Sequence, residues 1–158
     1  MAADYTEFER EWIEFLNEIR TALPGVQVLF GFLLIVPFNE HFPKLDVVIR
    51  TTYFFCFVTT AAASAFLIAP AVYHRLHWRQ NVEDKELMLR ACNRLAIVGT
   101  ALLALAMTAV VFCVSSIVVS HLEALFFTAP AAFLFIWLWF GVPLLRRARA
   151  RHRRQSQG

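Results

Sequence analysis

The chain has 158 residues, of which 59% are hydrophobic and 16 are phenylalanine, and its mean hydropathy is +0.56. This composition excludes an ordinary soluble domain of this size and predicts an integral membrane protein. The formal net charge of +3 conceals an acidic head and an arginine-rich tail. The acidic head lacks the basic start of a secretory signal peptide, so we expect no cleavage.

The first predicted element is an amphipathic helix over residues 5–23. Its apolar residues recur at steps of three and four, with carboxylates on the other side: Phe8, Trp12, Phe15, Leu16, Ile19 and Leu23. This segment is too polar to span a membrane, so we expect it to lie along the surface or beneath the spans. Pro24 lacks a backbone N–H and disfavours helical geometry at Leu23, so Pro24 and Gly25 predict a hinge.

Four apolar runs follow and predict membrane spans at about 24–38, 47–73, 95–120 and 122–145. The first run is short against the roughly 20 residues needed to cross a hydrocarbon core, so it must borrow preceding residues or thin the bilayer. The predicted fold class is all-α, an integral membrane bundle of four transmembrane helices preceded by an amphipathic interfacial helix. Residues 1–145 form one membrane domain, and residues 146–158 are predicted to be a disordered basic tail.

The distribution of basic residues predicts the orientation, because Lys and Arg near membrane ends are retained on the cytoplasmic side. Thirteen of the fifteen lie in the head, in the loop between spans two and three, and in the tail. Four spans place these regions on one side, so both termini are predicted to be cytoplasmic, in the plasma membrane. The six arginines of residues 146–154 predict anionic lipid as a partner. Nucleic acid is not expected, because no aromatic residue among the arginines is available for base stacking.

Small residues at every fourth position predict where two of the spans meet. Span two carries a stripe of alanines and span three a stripe of alanines and threonines: Ala61, Ala65 and Ala69, and Ala96, Thr100, Ala104 and Thr108. We predict that these two faces pack together. The alternative is that one of the stripes faces lipid.

No phosphate-binding glycine loop, zinc motif or nucleophile motif occurs, so no enzyme activity, cofactor or metal site is predicted. A candidate polar cluster lies at the cytoplasmic membrane boundary, where its groups would satisfy one another: Glu18, Arg20, Gln27, Asn93 and Arg94. In this prediction Gln27 lies about 5 Å from the start of the first span, at 1.5 Å per residue from Pro24.

A second candidate cluster lies on the external side, at the mouth of the two predicted hairpins: His41, Asp46, His121 and Glu123. Because histidine titrates near neutral pH, this cluster is a candidate ion or proton site. The alternative is that these are ordinary solvated loop residues.

Three segments resemble a known family. The sequence LNEIRTALPGVQVLFGFLL of residues 16–34 resembles the opening of a bacterial family of small four-span membrane proteins of unknown function. The sequence LIAPAVYHR of residues 67–75 and the pair Asn93 and Arg94 look like later landmarks of that family. The resemblance covers most of residues 12–120. Some members are labelled sodium:proton antiporters, so the resemblance implies such an activity.

Cation transport normally uses an ionisable side chain at membrane depth, despite a cost of about 2.5–3.5 kcal/mol. None occurs in the middle of the four apolar runs. We therefore predict an uncharacterised multi-pass membrane protein that acts as a non-enzymatic accessory or oligomeric subunit. Its partners would be the lipid bilayer and either a second copy or another membrane protein. The alternative is a small secondary transporter, sodium:proton antiporter-like, that works as a homodimer.

Overall fold

The computed structural model describes residues 2–77 and 82–141, and in these residues all regular structure is helical. The long helices are α1 (Ala2–Ile35), α2 (Val47–His77), α3 (Val82–Val118) and α4 (His121–Ile136). A π-helical turn, Trp137–Gly141, continues α4. Within the described residues, four stretches are long and apolar enough to cross a membrane: Trp12–Phe38, Val47–Tyr73, Leu87–Val118 and His121–Gly141. The predicted all-α class with four candidate spans is confirmed.

Some predictions fall on residues outside the described ones. These are the basic tail of residues 146–158 with its anionic-lipid contacts, and residues 142–145 at the end of the predicted fourth span. The chain divides into two compact units, Met1–Ala106 and Met107–Gly158. We describe each unit by itself.

Helix α1 differs from the prediction at Pro24. It runs without interruption from Ala2 to Ile35 with Pro24 inside it, so the predicted interfacial helix and hinge do not appear as separate elements. Pro24 removes only the one hydrogen bond to the carbonyl of Arg20, a loss that membrane helices tolerate. Ile19 and Val26 are both buried on either side of Pro24, and their packing holds the helix together. The apolar stretch accordingly begins at Trp12, well before Pro24.

Buried residues recur every seven positions on the three helices of the first unit. The repeats are Trp12, Ile19, Val26 and Leu33 on α1, Ile49, Cys56, Ala63 and Pro70 on α2, and Cys92, Gly99 and Ala106 on α3. A repeat of seven keeps the same line of side chains at the interface when helices wind around one another with a left-handed twist. We call these lines the heptad seams.

Helices α2 and α3 approach each other closely at two points. The Cys56 thiol donates to the carbonyl of Ala106 across 3.3 Å. A Cβ on Gly99 would lie 2.8 Å from the Leu67 Cγ, so only glycine allows the two helices to come this close. Ala65, at the centre of the predicted alanine stripe, is exposed. The prediction that this stripe packs on α3 is therefore wrong at Ala65, because a large residue packs over a glycine instead.

A tyrosine joins α1 to α2 at the other end of the seam. Pro37 has no backbone N–H, so the carbonyl of Leu33, four residues earlier, lacks its helical donor. The Tyr53 hydroxyl donates to that carbonyl. The edge of the Tyr53 ring packs against Phe42, with ring centroids 5.1 Å apart at 74°. We call this hydrogen bond the Tyr53 latch.

In the second unit, a capping box begins α4. The amide of Glu123 donates to the Ser120 Oγ across 3.4 Å, and the amide of Ser120 donates to the Glu123 Oε2 across 3.1 Å. This reciprocal pair satisfies two amides that the first helical turn leaves without partners. At the other end, the Phe133 and Trp137 rings stack across the junction with the π-helical turn, 5.9 Å apart. Both ends of α4 are thus organised by local contacts.

Candidate functional site

The predicted cytoplasmic cluster is spread over the exposed surfaces of two helices. Its five members are exposed: Glu18, Arg20 and Gln27 on α1, and Asn93 and Arg94 on α3. Within residues 2–77 and 82–141, no hydrogen bond or ion pair joins the side chain of one member to that of another. Four of the five adjoin a seam residue, Ile19, Val26 or Cys92, and so lie about 100° around the helix from it. Arg94, two residues after Cys92, lies about 160° around the helix from it. A polar lock among the five stays a prediction.

Gln27 lies much deeper in the first apolar stretch than the predicted position, about 5 Å from the start of the span. Because α1 is continuous and its apolar stretch runs from Trp12 to Phe38, Gln27 lies inside that stretch. At 1.5 Å per residue it is about 22 Å from Trp12 and about 17 Å from Phe38. Its side chain is exposed, and its amide forms no hydrogen bond with any described residue. A strongly polar group therefore lies near mid-span, on the outside of the chain.

Two glycines of α1 have open space around them. A Cβ added to Gly25 or Gly31 would meet nothing within 4 Å. At about 100° per residue, Gly31 lies about 40° around the helix from Gln27, one turn further along. Gly25 points about 160° away from Gln27 by the same geometry. Gln27 and Gly31 thus share one exposed face, which we call the Gln27 face, and Gly25 lies outside it.

The predicted external cluster consists of two pairs in separate units. In the first unit, the backbone N–H of His41 donates to the Asn39 Oδ1 across 2.9 Å. The Asp46 Oδ1 accepts from the amide of Val47 across 2.7 Å, and its carbonyl accepts from the amide of Arg50 across 3.0 Å. Asp46 therefore begins α2 as its N-cap, which is a structural role for its carboxylate.

In the second unit, Glu123 closes the capping box of α4, and the His121 ring lies 6.4 Å from the Phe112 ring. Both carboxylates of the predicted cluster are thus engaged in starting helices. The meeting of the two pairs at one ion site stays a prediction. In the part of the chain that the structure describes, no group of three or more His, Cys, Asp and Glu residues is arranged to hold a metal ion.

Most of the hydrogen bonds donated by hydroxyl groups in the described spans go to carbonyls of the same helix. Six donate to the carbonyl four residues earlier, at 2.7–3.0 Å: Thr52, Thr59, Thr60, Ser64, Thr100 and Thr128. This is the usual way in which a helix in an apolar medium satisfies a hydroxyl. Ser116 differs, because its buried Oγ has no hydrogen-bond partner among the described residues. These six hydroxyl groups are thus occupied in hydrogen bonds within their own helices and are not free to line a transport pathway.

Comparison with known proteins identifies the family and nothing closer. No curated protein and no solved structure matches the chain. Residues 3–143 match the pattern of a family described as "Family of unknown function (DUF6328)". That match covers α1, α2, α3, α4 and the π-helical turn almost entirely. The chain therefore belongs to the DUF6328 family, whose function is unknown.

Proposed function

We propose that this protein is a non-enzymatic subunit of a membrane assembly, self-associating or accessory to another membrane protein. The observation that carries the proposal is the contrast between the six hydroxyl groups that bond within their own helices and the uncovered apolar surface of the spans. Only 11% of the first apolar stretch and 6% of the fourth are buried within the chain. Such surfaces suit contact with lipid and with other helices.

The alternative, a small secondary transporter, needs groups that exchange protons or bind cations at membrane depth. No Asp, Glu, Lys, Arg or His occurs in residues 21–39, 51–73, 95–120 or 124–145. The charged residues that the apolar stretches do contain, such as Glu18 and Arg20, lie within about 12 Å of the end of their stretch. Gln27 is polar at this depth, but its amide neither gains nor loses a charge at physiological pH. These positions favour a subunit over a transporter.

We further propose that the protein resides in the plasma membrane with both termini in the cytoplasm. The support is the count of thirteen of fifteen basic residues on that side. The arginines of residues 146–154 would then contact anionic lipid of the inner leaflet. A reporter that is active only in the cytoplasm, fused after residue 158, should be active. An active reporter in the 39–46 loop would contradict this orientation.

Extraction into lipid nanodiscs directly from the membrane, followed by mass measurement and identification of the chains, tests the subunit role. We expect particles that hold more than one protein chain. A single chain without partners would contradict the proposal.

Reconstitution into vesicles with a pH-sensitive dye tests the transporter alternative. We expect no sodium-dependent proton movement. Such movement would overturn the subunit role if Glu18→Gln abolished it while Glu14→Gln left it intact. Glu14 is the matched control because it is also an exposed carboxylate of α1, paired with Arg10 at 3.2 Å.

A further inference from the structure

We propose that two copies of this chain pair through the Gln27 face of α1, with Gln27 and Gly31 of each copy against their equivalents across a two-fold axis. The inference rests on the proposed subunit role and names its partner, a second copy. It also names the surface, which no described residue of the first unit covers at Gln27 or Gly31.

The first step is the hydrogen-bonding need of Gln27. Its amide is exposed near mid-span and forms no hydrogen bond with the described residues. Hydrocarbon offers no donor or acceptor, so an unpaired amide there carries a free-energy cost. Polar side chains at such positions bond across helices and hold them together.

The second step is the match between this amide and a copy of itself. The carboxamide carries a partially positive NH₂ group and a partially negative oxygen. A two-fold axis parallel to the membrane normal brings two Gln27 residues together at equal depth, so that each NH₂ can donate to the other oxygen. The complementary partial charges therefore favour a second copy, whose amide is at the same depth by symmetry.

The third step is the space that the helices need. Gly31 lies one turn from Gln27 on the same face, and a Cβ there would meet nothing in the chain. No described residue therefore requires a glycine at position 31. At position 99, by contrast, a side chain would collide with Leu67. A glycine on an exposed face allows two backbones to approach closely. The same face carries the Arg20 carbonyl that Pro24 leaves without its helical donor.

Resonance energy transfer between donor- and acceptor-labelled copies in vesicles, at decreasing protein-to-lipid ratios, measures the pairing. We expect Gln27→Leu to weaken pairing about 3- to 30-fold, the range for interhelical polar contacts in membranes. Gly31→Leu should weaken it at least as much, because the side chain separates the backbones.

Gly25→Leu is the matched control. It adds the same side chain to the same helix, also in open space, but outside the Gln27 face. We expect it to leave pairing unchanged. Equal weakening by Gly25→Leu and Gly31→Leu would overturn the proposal, and so would pairing that neither Gln27→Leu nor Gly31→Leu alters.

Disulfide crosslinking in native membranes is an independent test that needs no pairing constant. The test uses a Cys113→Ser parent chain, because Cys113 is half-buried whereas Cys56 and Cys92 are buried. Under copper phenanthroline oxidation, Gln27→Cys should give a covalent dimer above the level of this parent. Phe32→Cys is the control and should give no such dimer. Phe32 is also exposed, at 66%, but it lies about 140° around the helix from Gln27. Equal crosslinking at both positions would contradict the assigned face.

The outcomes separate the inference from the subunit role on which it rests. An assembly of several chains that is insensitive to Gln27→Leu and Gly31→Leu would refute the pairing face and leave the subunit role intact. An assembly with a different membrane protein and one copy of this chain would do the same. A lone chain in wild-type membranes would refute both.

Discussion

The two sides of α1 differ in how their polar groups are satisfied. On the seam side, the carbonyl of Leu33 loses its helical donor to Pro37 and gains the Tyr53 hydroxyl. On the Gln27 face, the amide of Gln27 has no partner among the described residues, and the space at Gly31 is open. On the seam side, the chain thus satisfies the Leu33 carbonyl of α1 with one of its own side chains. We propose that a second copy completes the other side.

Substitution of Gly99 and of Gly31 by leucine tests this comparison. Gly99→Leu has the largest expected effect on the free energy of unfolding. Gly99→Leu should destabilise the fold by about 3 kcal/mol or prevent folding, because overpacking of a tight interface costs about 1–3 kcal/mol and the α3 backbone has no room to move. Gly31→Leu should leave the stability of the single chain unchanged. Urea or SDS unfolding in mixed micelles, at dilutions where the chain is monomeric, measures both. Similar losses for the two variants would contradict the assignment.

The Tyr53 latch predicts a smaller effect. Tyr53→Phe should cost about 1–2 kcal/mol, because it leaves the Leu33 carbonyl unsatisfied in an apolar setting. The cost should largely disappear in a Pro37→Ala background, where residue 37 regains the N–H that the carbonyl lacks. A double-mutant cycle from the same unfolding experiments measures the coupling between the two positions. No cost for Tyr53→Phe would show that Tyr53 acts through ring packing alone, and additive effects would show that its hydroxyl does not act through the Leu33 carbonyl.

The capping box of α4 predicts the smallest effect. Glu123→Ala should cost about 1 kcal/mol, whereas Glu123→Gln should be close to neutral, because glutamine also closes a capping box at this position. Thermal unfolding followed by circular dichroism measures both. If Glu123→Gln cost as much as Glu123→Ala, the negative charge itself would matter, and the predicted external ion site would gain support.

The helical class and the four apolar helices could be predicted from composition, since long apolar runs must satisfy their backbone internally. The continuity of α1 could not. The local rule for Pro24 favours a break, and only the packing of Ile19 and Val26 on its two sides overrides that rule. The depth of Gln27 follows from this continuity. A helix that began at Pro24 would instead leave Gln27 near the membrane boundary, which is the position predicted from the sequence.

The interface between α2 and α3 was predicted from small residues, but the structure uses a seven-residue repeat. Its members are of mixed size, such as Ile49, Cys56 and Gly99, so no single residue type marks it. The repeat was present in the sequence and could have been found by searching for period seven. The Tyr53 latch could not, because a proline marks an unsatisfied carbonyl without telling which distant side chain reaches it.

The number of chains in one nanodisc taken directly from the membrane tests the central claim most directly. For wild type, the protein mass should correspond to two or more chains, at least one of them the 18.1 kDa chain described here. In the Gln27→Leu/Gly31→Leu double variant, particles with two copies should decrease about tenfold or more, since each change weakens the same interface. A mass of one 18.1 kDa chain in wild-type membranes would contradict the account.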